Sequence, residues 1–374
     1  MTLPLTGFRV IEFGNLIAAP YAAMLLADLG ADVIKIEPLQ GDLGRRFGPF
    51  IGEESAFFLA INRGKRSVVL DLKTEEGRHL ALRLCATAHV VIHNLRHGVM
   101  ERLGLSEPEV RADNSNVVYA VISAFGADGP YAERVGIDVI FQGESGMMSI
   151  TGAPGSPPEK TATTIGDYVA ATNAALAVCA RLASGQGGRV DVSLRDGLLA
   201  VQSGWNALAF HSGQQPPKLG TASPFLAPNQ VFESSDGHLT LAIVSDTHFD
   251  ILCRTLGRPD LAAAYPTNDE RMTRRAVLAG ELQDVFASDT TEAWVELLTD
   301  AGIPAGRVLS IHETFADPQV VHNGMKLTLE HPSAGEIHLT GSPIRIDGSA
   351  SVTDRPPPRL GEHTTEVLAH LDEH

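Results

Sequence analysis

An acid set behind a glycine is the residue of this sequence best placed to do chemistry. Asp167 stands in Thr163-Thr164-Ile165-Gly166-Asp167-Tyr168-Val169-Ala170, ahead of an apolar small-residue run from Ala170 to Ala183. The pattern reads as a loop delivering a carboxylate to the start of a buried helix. A carboxylate in a dry site can attack an activated acyl group and form a mixed anhydride. The competing reading is a helix N-cap, because Asp is among the residues preferred there and Ile165-Gly166 looks like a lead-in. Rival chemistries are missing from the sequence. The 14 histidines are scattered, with no His-x-x-x-His pair in a helix and no Cys/His cluster, so no metal is expected. There is no Gly-x-Ser-x-Gly elbow and no phosphate loop ending in Gly-Lys-Ser/Thr. Cys85, Cys179 and Cys253 are isolated in apolar helical contexts and read as buried structural thiols.

The elements that must hold Asp167 begin with a βαβ unit. Phe8 to Phe13 is a β-branched and aromatic run, Tyr21 to Leu29 a helix-forming run closed by Gly30, and Asp32 to Glu37 a second strand. Such closely spaced elements imply a parallel sheet. The first turn lacks Gly-x-Gly-x-x-Gly, having Gly14 alone followed by Leu16-Ile17, which argues against a dinucleotide. The amides at that helix N-terminus could still meet negative charge. Strands follow at Ser67 to Leu70, Val90 to His93, Val117 to Ser123 and Arg189 to Ser193, with helices at Glu75 to Ala86, Asp138 to Ile150 and Leu194 to His211. The stretch from Pro38 to Arg66 is long and irregular, and loops of that kind are usually functional. It opens a basic set, Arg45, Arg46, Arg63, Lys65, Arg66 and Lys73, which reads either as solvated surface charge or as an anchor for phosphates.

A chain of 374 residues holds two domains or one large interrupted one. The fold class expected is α/β. A large Rossmann-like parallel-sheet domain spans 1–213 and is completed by 325–374; a smaller α+β domain spans 225–320, with linkers at 214–224 and 321–324. Asp236-Gly237 marks a hairpin turn in the smaller domain. A formal charge of −16 argues against a nucleic-acid partner. The N-terminus lacks the order of a secretory signal, and no apolar run approaches the roughly 20 residues needed to cross a bilayer. A soluble cytoplasmic protein is the expectation.

The sequence is similar along nearly its whole length to the family III CoA-transferases, the group containing formyl-CoA and carnitine CoA-transferases and α-methylacyl-CoA racemase. The resemblance is carried by Leu5-x-Gly7-x-x-Val10-Ile11-Glu12-Phe13, Ala31-Asp32-Val33-Ile34-Lys35-Ile36-Glu37, Gly41-Asp42-x-x-Arg45 and Asn62-Arg63-Gly64-Lys65-Arg66-Ser67. It continues through Asp71-Leu72-Lys73, Asn94-x-x-x-Gly98, Glu101-Arg102-Leu103-Gly104, Ile165-Gly166-Asp167, Gly187-x-x-Arg189-Val190-Asp191-Val192-Ser193 and Gly361-Glu362-His363. It implies that Asp167 is the nucleophile, forming an aspartyl anhydride and then an aspartyl-CoA thioester, with no permanently bound cofactor. Coenzyme A would lie against Asn15, Ile17, Ala18, Arg45, Leu70, Lys73, Asn94, Leu95 and Arg102. The substrates would be an acyl-CoA and a carboxylic acid, and the assembly an intertwined homodimer.

The sequence departs from the family in three places. Where the racemases carry a histidine as second acid/base, this chain has Ile137, which cannot exchange a proton. A racemase or epimerase is thus the alternative, and a non-catalytic CoA-binding protein the third reading. The tetraglycine loop of formyl-CoA transferase is replaced by Ser223-Pro224-Phe225-Leu226-Ala227-Pro228, and an arginine after the second strand by Pro38. Specificity is expected between Asp167, Ile137 to Gln142, and residues 223–228.

Overall fold

Six β-rich runs of the sequence join into one parallel sheet, seen in a computed structural model that describes residues 2–372. These are β1 (Arg9–Phe13), β2 (Asp32–Glu37), β3 (Lys65–Val69), β4 (Val90–His93), β5 (Val118–Ser123) and β6 (Gly188–Ser193). Their order is β3-β2-β1-β4-β5-β6. The sequence thus runs outward from β1 to one edge, returns, and continues to the other from β4. That reversal between β1 and β4 opens a crevice at their carboxyl ends, the place where doubly wound sheets bind ligands.

Alternation along the strands explains why both faces are covered. Val10, Val33, Val90 and Ala120 turn toward α1 (Ala18–Asp28) and the long helix Ile165–Ala183. Ile11, Ile34, Val91 and Tyr119 turn the other way, toward α2 (Glu75–Ala86) and the closing helix Thr364–Asp372. Alanines dominate the first interface: Ala19, Ala22 and Ala23 of α1 and Ala170, Ala171 and Ala174 of the long helix are all buried. Small side chains let the two helices approach closely.

The chain divides into two compact units, one of residues 1–147, 161–203 and 317–374, the other of 148–160 and 204–316. The second takes in 148–160 and 204–316, whereas the sequence reading ended the large domain at 213 and opened the small one at 225. It holds an antiparallel sheet of β7 (Asn229–Glu233), β8 (His238–Ala242) and β9 (Ala305–Arg307), in the order β9-β8-β7. Phe232, Leu239, Leu241, Phe249, Leu282 and Phe286 form its core.

Two helices expected as continuous are interrupted. The run from Asp138 gives α3 (Asp138–Glu144) and a separate turn Met147–Ile150, because Gly146 takes φ +85°. The run from Leu194 gives α5 (Leu194–Val201) and a second helix from Ser203, broken at Gln202. With Ile165–Ala183 as α4, these are the helices that matter below. The stretch Pro38 to Arg66 is also more ordered than expected, holding a 3-10 turn Leu43–Arg46, a two-residue hairpin and the helix Ala56–Ala60.

Candidate active site

Asn15, just after β1, and Asn94, just after β4, meet across the crevice. The Asn15 N–H donates to Asn94 Oδ1 at 2.9 Å, and Asn94 Nδ2 donates to the Asn15 carbonyl at 2.9 Å. Two loops 79 residues apart are thereby stitched edge to edge. The turn between them and α1 is unusual. Leu16 has φ +62°, one of two non-glycine residues in the left-handed region among the described residues, and a bulky side chain there is a genuine outlier. Gly14 has no alternative: a Cβ would lie 2.7 Å from Glu12 Oε1 and 2.8 Å from Pro20 Cδ. Ile17 caps α1 without a side-chain bond, so the first amides of the helix have no side-chain cap.

The other expected coenzyme contacts fall into two groups. Ile17, Ala18 and Leu70 are buried. Lys73, past β3, and Arg102, in the helix Val99–Arg102 after β4, are exposed cations, and Leu95 is half-buried beside Asn94. Arg45 is committed elsewhere: it grips Glu37 through two bonds of 2.7 Å, reaches the Pro358 carbonyl, and stacks on Phe58 with 3.6 Å to the ring centre. The basic set is thus not a single phosphate anchor. Arg63 is buried on Asp28, Lys65 on Glu12, and Arg66 pairs with Asp32.

Asp167 lies at the third position of α4, and the cap is Thr164, whose side chain makes no capping bond. The N-cap reading of Asp167 is therefore corrected. The capping is done from another helix. Asp138, buried at the first turn of α3, accepts the Gly166 N–H at 2.8 Å through Oδ1. Its Oδ2 accepts from Gln142 Nε2 at 2.6 Å, and Gln142 Oε1 in turn accepts the Thr161 N–H at 2.8 Å. This bracket leaves no space at Gly166, where a Cβ would stand 2.8 Å from Asp138 Oδ1 and 3.3 Å from Leu198. Sequence reasoning did not single out Asp138 or Gln142 for this; their four-residue spacing on one helix face was the available signal.

The Asp167 carboxylate is half-buried and accepts no hydrogen bond among the described residues. Burial pushes its pKa up to about 7, and the negative charge of Asp138 adds to that. Next in sequence, Tyr168 packs edge-on against Tyr21 of α1, with ring centres 4.8 Å apart. Tyr168, Tyr21, Leu16 and Ile17 belong to one small apolar cluster, so the start of α4 and the β1–α1 turn are neighbours. His93, at the end of β4, is buried, and burial lowers its pKa to about 4, so it is neutral near pH 7. The site thus offers a carboxylate with its pKa raised by burial and without a hydrogen-bond partner among the described residues, next to a tyrosine that packs on the β1–α1 turn. Among the described residues, no group of acids, cysteines and histidines is arranged to hold a metal.

The chain is similar along nearly its whole length to known proteins. The family model "CoA-transferase family III" matches residues 5–364. A succinate–glutarate CoA-transferase of Agrobacterium fabrum is 40% identical, covering 99% of this chain and 96% of its own. The human succinyl-CoA:glutarate CoA-transferase is 32% identical over 98% of this chain and 86% of its own. Among solved structures, a CAIB/BAIF family protein from Brucella suis superposes with a TM-score of 0.88 at 35% identity, covering 100% of both chains. The chain belongs to the family III CoA-transferases, and its activity is the transfer of coenzyme A from an acyl-CoA to a carboxylic acid.

Proposed function

We propose that Asp167 is the nucleophile of this transfer and that donor and acceptor are short dicarboxylic acids. The observation that carries the first claim is a carboxylate raised to a pKa of about 7 by burial, with no hydrogen-bond donor on it among the described residues. One Asp167 oxygen attacks the thioester carbonyl, the C–S bond breaks, and coenzyme A leaves as thiolate from a mixed anhydride. The thiolate then attacks the aspartyl carbonyl, releasing the donor acid and forming aspartyl-CoA. An acceptor carboxylate attacks that thioester, expelling the thiolate again. Attack of the thiolate on the acceptor carbonyl gives the new acyl-CoA and restores Asp167.

In this reading coenzyme A lies along the crevice. Backbone groups of Asn15, Ile17, Ala18 and Leu70 line it, Asn94 and Leu95 close one side, and Lys73 and Arg102 meet the phosphates. Arg45 contributes through the loop it fastens to Glu37. The dicarboxylate claim is supported by the similar enzymes, whose names give succinate and glutarate as substrates. The reading includes an intertwined homodimer, consistent with the exposure of Leu176 and Phe210, and a cytoplasmic location.

Incubation with succinyl-CoA and hydroxylamine tests it. Asp167 is expected as the hydroxamate in the mass spectrum of its tryptic peptide; a cleanly observed, unmodified Asp167 under turnover would sink the nucleophile claim. A panel of mono- and dicarboxylic acceptors decides the second claim, and equal turnover of both classes would remove it. Light scattering giving a monomer would remove the dimer.

A further inference from the structure

We propose that the buried ion cluster Glu12, Lys35, Asp42 and Lys65 is a positioning device that presets the β1–α1 turn for coenzyme A; this rests on the reading that the coenzyme lies at that turn. All four side chains are within 1% of complete burial. Lys35 Nζ touches Glu12 Oε1 at 2.7 Å and Asp42 Oδ2 at 2.8 Å, and donates to the Gly14 carbonyl at 2.9 Å. Lys65 Nζ touches Glu12 Oε2 at 2.8 Å and donates to Asn62 Oδ1 at 2.8 Å and to the Pro20 carbonyl at 2.7 Å. Asp42 Oδ1 accepts the N–H groups of Leu16 at 3.1 Å and Gly44 at 2.7 Å.

The backbone is therefore gripped at the turn's start, at its middle and just inside α1: Gly14 by Lys35, Leu16 by Asp42, and Pro20 by Lys65. The middle grip falls on the residue held at φ +62°. Backbone strain of that kind persists only where the surroundings over-determine it, and it gathers at ligand sites. Stability alone gives no reason for such a cluster, since buried ion pairs replaced by apolar groups of similar volume are often neutral or better. What apolar groups could not do is accept the Leu16 amide or donate to the Gly14 and Pro20 carbonyls. Asp42 is itself fixed from behind, its N–H donating to Glu37 Oε2 at 2.9 Å, and Glu37 is held by Arg45 and Ser67.

The test uses two charge-balanced double variants, each removing one acid and one base while leaving the other pair intact: Lys35→Met with Asp42→Asn, and Glu12→Gln with Lys65→Met. Wild type is titrated first with free coenzyme A. Absence of binding there defeats the proposed function itself, and the inference with it. With wild type binding, folded variants are expected to show a KM for acyl-CoA and a Kd for coenzyme A raised about tenfold, with kcat at saturation within about threefold. Hydroxamate should still form at Asp167. Folded variants whose coenzyme affinity stays within about twofold of wild type would overturn the inference and leave the proposed function standing. Should both variants fail to fold, hydrogen exchange on the wild type decides. The Leu16 amide is expected to be protected without coenzyme; exchange there as fast as in a surface loop would overturn the presetting.

Discussion

Two carboxylates of the large unit, Glu12 and Asp167, are both taken out of water and treated in opposite ways. Glu12 is fully buried with a lysine on each oxygen, at 2.7 and 2.8 Å. Of its two partners, Lys35 is held above the ordinary lysine pKa, despite burial, by Glu12, Asp42 and Glu37, whereas burial pushes Lys65 down to about 8. Asp167 meets no cation among the described residues, and its burial, with the negative Asp138 adding to it, raises its pKa to about 7. The difference shows that burial alone does not make an acid reactive. A desolvated charge with partners fixes geometry, whereas one without partners is stored reactivity.

The comparison breaks most visibly at Asp167→Ala, which should lower kcat by about a thousandfold or more if the carboxylate is the nucleophile. The same variant should be more stable than wild type. The folded-state pKa lies above the unfolded value, so the fold favours the neutral acid, and stability falls as pH rises toward and through about 7. Removing the acid should recover about 1–3 kcal/mol in urea unfolding at pH 8, a gain that vanishes below pH 4. A less stable Asp167→Ala at pH 8 would mean the carboxylate is satisfied after all.

Glu12 predicts the reverse. Lys65→Met alone leaves that acid with one partner instead of two, and should cost about 3–5 kcal/mol in the same measurement. A smaller penalty is expected from Gly166→Ala, about 1–3 kcal/mol, as the new methyl pushes on Asp138 and Leu198. The finest test is pH. Single-turnover acylation should fall as pH drops below about 7, because only ionised Asp167 attacks. Asp138→Asn removes the like charge beside it and should move that inflection downward. An unmoved inflection would assign the raised pKa to burial alone.

Much of this was legible in the sequence, and the reasons differ by region. The six strands of the large sheet were readable because buried parallel strands are continuous β-branched runs, as in Asp32-Val33-Ile34-Lys35-Ile36-Glu37. The breaks at Gly146 and Gln202 were not readable, since apolar periodicity continues across both. Asp167 was visible as a carboxylate but misplaced by capping rules, because those rules look only at neighbours in sequence. Its helix is capped by Asp138, 28 residues earlier. The basic set misled for a similar reason. A lysine's charge says nothing of its destination, and Lys65 goes into the core while Lys73 stays in water. Asn15 and Asn94 stood out through family resemblance alone; their reciprocal bonds belong to tertiary structure and leave no local trace.

The Asp138–Gln142 bracket has a consequence for how this enzyme can diversify. The chain leaves the large unit after Met147 and returns at Thr161, and the bracket ties the outgoing helix α3 to the returning stretch of chain at Thr161 and Gly166. Residues 148–160 can then be lengthened, shortened or exchanged without relocating Asp167. Grafting a relative's segment between those two ties should leave the reactivity of Asp167 toward acyl-CoA unchanged.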